Sequence, residues 1–122
     1  MSQPNDPAVK ELLPLPRSTL HLMLALHPGP LHGYAIKQGV EERSGGIVRM
    51  GPGTLYTTIQ RSQQLRLIEE TDWRPPPSED HSQRRYYSLT LLGQAVLEAE
   101  VNRLGQVVDF ARAALATRPR RG

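Results

Sequence analysis

The chain has 122 residues, 15 basic against 12 acidic, and no cysteine. That length suits one domain with a real core but is short for an enzyme with a buried pocket. The missing cysteines exclude disulfides, thiolate chemistry and cysteine-bearing zinc sites together. A net charge of +3, with thirteen of the fifteen basic residues arginine, suits an anionic partner. No apolar run approaches the roughly 20 residues needed to span a bilayer, and the N-terminus lacks a signal-peptide pattern. A cytoplasmic protein without a membrane partner is the expectation.

Residues 1–16 read as an N-terminal arm: 1–10 are polar and expected to be loose, and Leu12-Leu13-Pro14-Leu15-Pro16 is a proline-stiffened lead-in. Ser18 then caps a first helix in which Leu20, Met23, Leu24 and His27 recur at helical spacing. Leu22 and Leu26 make it apolar nearly all round, so it must be buried on most sides. His27-Pro28-Gly29-Pro30 stops it, and a second helix runs from about His32 to Arg43 before Ser44-Gly45-Gly46. Ala35, Ile36, Gly39 and Val40 share its inner face. Tyr34, Gln38, Glu41 and Glu42 point away, with Lys37 flanking that surface as a candidate phosphate contact.

Residues 51–61, Gly-Pro-Gly-Thr-Leu-Tyr-Thr-Thr-Ile-Gln-Arg, carry the strongest local signal. Gly51 is an acceptable cap and Pro52 suits the first helical position, where its missing N–H costs nothing. Wound at about 100° per residue, Leu55, Ile59, Ser62 and Leu65 form the packing face of a helix ending near Leu65. Gly53, Thr57, Gln60, Arg61 and Gln64 lie opposite, with Thr54 and Tyr56 on the flanks. Gln and Arg can make bidentate contacts to base edges, Thr can meet a phosphate or a thymine methyl, and Gly permits close approach. The bland reading of the same face is ordinary solvated surface.

Next, Leu67 to Arg74 reads as a strand ending at Trp73, the only tryptophan. Arg84 to Leu89 reads as a second, half-buried strand with Tyr87 and Leu89 on one face and Tyr86 on the other. The connection carries Pro75-Pro76-Pro77, which cannot pair in a ladder and marks a hairpin tip. Three helices and a ribbon describe a winged helix-turn-helix over residues 17–90, its third helix in the major groove. Arg84 and Arg85 at the wing base, and Arg49 ahead of the third helix, join the candidate DNA contacts. Glu79 and Asp80 argue against the tip itself lying on DNA.

From Thr90 as cap, a helix of about 26 residues would span roughly 39 Å, too long for so small a domain to cover. Leu97, Val101, Leu104, Val108, Ala111 and Leu115 follow a 4-3-4-3-4 spacing, a heptad seam. Val96, Val107 and Phe110 widen the stripe. The part around Leu92 and Val96 is expected in the core, while the rest of 91–116 needs a partner, most economically a second copy. Residues 117–122 form a basic tail with Arg118-Pro119-Arg120-Arg121. The expected fold is therefore mainly α with a two-stranded β-wing and a long C-terminal dimerisation helix.

Four blocks carry a family resemblance: Gly29-Pro30-Leu31-His32-Gly33-Tyr34-Ala35-Ile36; Glu41-Glu42-Arg43-Ser44-Gly45-Gly46; Gly51-Pro52-Gly53-Thr54-Leu55-Tyr56; and Arg84-Arg85-Tyr86-Tyr87-Ser88-Leu89-Thr90 with Leu92-Gly93. In this order and spacing the chain resembles PadR-type transcriptional regulators, specifically the short form with a single C-terminal dimerisation helix, over about residues 12–115. The resemblance implies a homodimeric bacterial repressor on a palindromic operator, released by a small molecule, a stress signal or another input. Three positions depart from the pattern. Thr57 stands where many relatives have proline, Arg66 replaces the usual glycine ending the recognition helix, and Ser62 replaces a large apolar residue. Arg66 should either occupy a strained left-handed turn or end the helix differently, and Ser62 should lighten the core beneath it. Some relatives trap planar compounds between tryptophans of the dimerisation helix, but with Trp73 in the wing no such pocket is expected here. An effector would have to use the dimer interface near Tyr34, His21 or Phe110, and the sequence assigns it no binding residues.

The four histidines, His21, His27, His32 and His81, lack ligand spacing, and there is neither a nucleophile elbow nor a phosphate loop. No cofactor, metal or catalytic residue is expected. The competing reading is a winged helix serving as a protein-interaction module, because the fold alone does not fix function.

Overall fold

The computed structural model describes residues 3–79 and 83–120. The expectations for Asp80 and His81, and for Arg121 in the tail, lie outside the described residues. In chain order the elements are α1 (Pro7–Lys10), α2 (Arg17–Leu26), β1 (Leu31–His32), α3 (Gly33–Arg43), α4 (Pro52–Gln64), β2 (Ile68–Thr71), β3 (Tyr86–Leu89) and α5 (Leu91–Leu115). Leu22, Met23 and Leu26 of α2, Ile36 and Val40 of α3, Leu55 and Ile59 of α4, and Val96 and Leu97 of α5 form one core with Leu67 and Ile68.

Local chemistry explains the helix starts. His32, extended, accepts the Ala35 N–H on its ring nitrogen and opens α3. Gly51 and Pro52 open α4 without a side-chain cap, and the Thr90 hydroxyl accepts the Gly93 amide to open α5. At the end of α3, Gly45 and Gly46 take φ of 63° and 81°, and the Gly46 amide reaches back to the Glu41 carbonyl, closing the helix in the left-handed turn glycine favours. The start of α2 differs from the expected Ser18 cap. Pro16 occupies the cap position, with extended backbone and its carbonyl accepting from Leu20, so Ser18 lies inside the first turn.

The wing is a three-stranded antiparallel sheet ordered β1-β3-β2 rather than a two-stranded ribbon. Leu31 pairs with Tyr87 and His32 with Tyr86 on one side of β3, and Ile68 pairs with Leu89 through Thr71 with Tyr86 on the other. As the central strand, β3 is paired along both edges, and both Tyr86 and Tyr87 are buried although they point to opposite faces. Tyr86 has Trp73 and His32 edge-on to its ring, with centroids 5.4 and 5.6 Å away, and the Arg74 guanidinium 5.2 Å over it. Both long strands are shorter than expected. The Leu67 amide donates to the Ser62 carbonyl, closing the end of α4, Pro75 follows soon after Thr71, and Arg84 and Arg85 precede β3.

The N-terminal arm is docked, not loose. The single turn α1 places Val9 fully inside the core, and Leu15 is buried behind it. The Leu15 amide donates to Glu100 Oε2 at 2.6 Å, and Glu100, 1% exposed, also accepts from Arg103 Nε. Burial would raise this carboxyl, but the Arg103 and Leu15 hydrogen bonds outweigh it and hold it below the usual carboxylate range. Beyond Glu100 no residue of α5 is fully buried, although the N-terminal arm still lies beside Asn102, Arg103 and Gln106.

Candidate nucleic-acid interface

Helix α4 sorts its side chains by face. Leu55, Thr58, Ile59 and Ser62 are buried; Gly53, Thr54, Tyr56, Thr57, Gln60, Arg61 and Gln64 are exposed, as expected for the outward face. Leu65, expected inside, is 39% exposed because the helix has already ended at Gln64 and the chain turns away. Thr58 takes the inward place instead, its hydroxyl donating to the Thr54 carbonyl at 2.7 Å. Arg66 adopts φ of 60°, the strained left-handed alternative anticipated for a non-glycine residue there. Ser62 is completely buried and its hydroxyl has no hydrogen-bond partner.

Two grooves flank the exposed face of α4. One, of about 610 Å³, runs between α4, the start of α3 and the wing base, and gathers Tyr34, Tyr56, Gln60, Gln63, Arg84 and Arg85. The other, of about 530 Å³, lies against the start of α2 and gathers Ser18, Gly53, Thr54, Thr57 and Arg61. The arrangement is a protruding helix between two polar clefts whose cations are Arg61, Arg84 and Arg85. Arg85 is largely exposed and only 4.0 Å from Glu70, a weak surface pair. Tyr87 at the groove floor is held neutral, its phenol pushed up by burial and by the Glu70 charge.

Arg49, Lys37 and Gln64 line neither groove. Arg49 is exposed with Nε donating to the Gly46 carbonyl, and the Lys37 ammonium is engaged by Glu41 at 3.1 Å. Gln63 and Gln83 belong to the wing-side groove although the sequence pattern did not select them. Gln63 lies about 80° from Leu55 on the helical wheel, as far to one side as Leu65 is to the other, and both are exposed. Among the described residues there is no cluster of histidine, aspartate or glutamate that could hold a metal ion, and no helix is long and apolar enough to cross a membrane.

The C-terminal helix divides at Glu100. Leu97, expected in the intermolecular seam, is buried within its own protomer, since it lies on the half of α5 that packs on the domain. Past it, Val101 and Val108 are exposed, Leu104 and Ala111 half-buried, and Leu115 85% exposed; Phe110, on a different face, is 77% exposed.

Residues 22–99 match the family described as transcriptional regulator PadR-like. The chain belongs to this PadR-like family. Its members are transcriptional regulators rather than enzymes. The uncharacterized 37.1 kDa protein in transposon TN4556 of Streptomyces fradiae is 35% identical over 86 residues, 70% of this chain and 22% of that protein. The chain thus spans about a fifth of that relative's length. Among solved structures, a PadR-like transcriptional regulator from Bacillus cereus superposes with a TM-score of 0.68 at 20% identity, covering 93% of this chain and all of that one. Bacillus subtilis PadR in complex with operator DNA gives a TM-score of 0.57 at 19% identity, over 70% of this chain and 46% of that one. These likenesses establish the PadR-like winged-helix architecture.

Proposed function

We propose that this PadR-like regulator is a homodimeric, cytoplasmic, bacterial repressor that binds double-stranded DNA at a palindromic operator near its own gene. Residues 17–90 would be the DNA-binding domain, 91–116 the dimerisation helix, 1–16 an arm and 117–122 a basic tail. The observation that carries the reading is the pair of grooves either side of an exposed α4, with Gln60 facing Arg84 and Arg85 in the wing-side groove and Arg61 lining the other. Gln60 and Arg61 would meet base edges. Gly53 would allow close approach, Thr54, Tyr56, Thr57 and Gln64 would contact the groove walls, and Arg49, Arg84, Arg85 and Lys37 would contact phosphates. That a protein of the same fold has been solved in complex with operator DNA supports the DNA-binding part of this reading.

Dimerisation would use Val101, Leu104, Val108, Ala111 and Leu115, with Leu97 at the buried end of the seam. Apolar side chains in register on a helix, with Val101, Val108 and Leu115 exposed and Leu104 and Ala111 only half-buried, support it. Release by a signal of unassigned kind, a small-molecule effector being one form of it, belongs to the same reading. A nuclease footprint on DNA upstream of the gene should show two protected half-sites about one helical turn apart, related by a dyad. A single unsymmetrical patch, or none, would refute the palindromic dimer.

A further inference from the structure

The recognition helix and the proposed dimerisation helix meet at one point of bare backbone. Helix α4 ends at Gln64, Arg66 turns the chain with φ of 60°, and the Leu67 amide bonds back to the Ser62 carbonyl at 2.9 Å. The first turn of α5 sits directly on that bend. The Thr90 amide donates to the Leu67 carbonyl at 3.1 Å, and the Thr90 hydroxyl lies 2.6 Å from the Arg66 carbonyl and 3.2 Å from that of Leu67. The same hydroxyl accepts the Gly93 amide at 2.9 Å. A Cβ at Gly93 would stand 2.0 Å from the Leu67 carbonyl oxygen. At Gly93 no flexible side chain intervenes, so at this point α5 and the turn that ends α4 meet main chain to main chain.

We propose that the junction of Arg66, Leu67, Thr90 and Gly93 is a positioning device that fixes the angle between α4 and α5, and through it the half-site spacing the dimer accepts. The inference rests on the proposed dimer bound to two half-sites. Leverage gives it a magnitude. Restoring ordinary contact, 3.4 Å, for an alanine at 93 requires about 3.4 − 2.0 = 1.4 Å of movement. Pivoting about the buried Ala99, about 9 Å along the helix, this tilts α5 by roughly 9° and moves Val108, about 13.5 Å beyond, by roughly 2 Å. Two protomers related by a dyad double it to roughly 4 Å, about one base-pair rise.

The chain has no cysteine, so nitroxide labels on Gln64→Cys and Arg112→Cys report the α4–α5 distance directly once labelled chain is diluted with unlabelled. Arg112 lies about 19.5 Å beyond the Ala99 pivot, so Gly93→Ala should change this intramolecular distance by up to about 3 Å and shift the preferred half-site spacing by about one base pair, in a series with spacers altered by up to two base pairs either way. Thr90→Val carries the same test if the alanine variant does not fold. It should broaden the distance distribution and flatten the spacing dependence, with Thr90→Ser restoring both. An unchanged distance, or equal loss of affinity at every spacing, overturns the proposal. Failure of the regulator reading looks different: the wild type would bind at no spacing, and the spacing claim would fall with it.

Discussion

Ser62 offers a stability test worked from one atom. Its side chain is completely buried in α4 and its hydroxyl meets no hydrogen-bond partner. Ser62→Ala removes that polar atom while keeping the Cβ and the helix. Relieving an unsatisfied buried hydroxyl returns about 1–2 kcal/mol. Alanine's better helix propensity adds roughly 0.5, and losing one atom's dispersion contacts takes back a similar amount. The net gain is about 1–2 kcal/mol. With an unfolding entropy of about 2.1 cal/mol/K per residue, 122 residues give about 0.26 kcal/mol/K and a rise in Tm of roughly 4–8 °C. Differential scanning calorimetry at matched protein concentration reads it, with operator affinity as a control that should not change. An unchanged or lowered Tm would mean that the buried hydroxyl carries no net penalty and would refute the reasoning.

Gln60→Ala and Arg61→Ala should each cost about 1–3 kcal/mol in operator affinity without changing dimer mass; a fully active double variant would put the wrong helix face in the groove. Glu replacements at Leu104 and Val108 together should give monomers in sedimentation velocity and weaken operator binding, and a variant that stays dimeric rules out the seam. Glu100→Gln should destabilise the fold by about 1–2 kcal/mol near pH 7. Because the folded carboxyl is held below its ordinary value of 4.5, the wild type's advantage is present above that pH and disappears as the pH falls through the lower folded value. Denaturant midpoints measured from pH 7 to pH 3 check this, and a difference that grows on acidification reverses the assigned sign.

Helices α3, α4 and α5 were legible because each announces its start with a polar or glycine cap and then repeats apolar residues at helical spacing. The outward face of α4 was legible for the same reason. What escaped notice has no period to read. Strand β1 is two residues long and exists only because β3 lies beside it, and Val9 is a lone apolar residue in a polar stretch. Glu100 falls outside the apolar seam of α5, and a carboxylate at such a position reads as solvated. Only the docked Leu15 amide and Arg103 make its burial tolerable. For Arg66 the sequence leaves two outcomes open, and the structure takes the strained left-handed one; that the turn also carries α5 depends on a contact between residues 26 apart in sequence, Leu67 with Gly93.

The central claim is specific, charge-dependent DNA binding, and its most direct test is a salt titration with DNA from upstream of the gene. Arg49, Arg84, Arg85 and Lys37 supply four candidate phosphate contacts per protomer, or two if Arg85 and Lys37 stay with Glu70 and Glu41. A dimer would then neutralise four to eight phosphates, and the plot of log affinity against log salt should fall with a slope between about −4 and −7. A slope near zero, or no binding at low salt, contradicts the account and favours a protein-interaction module.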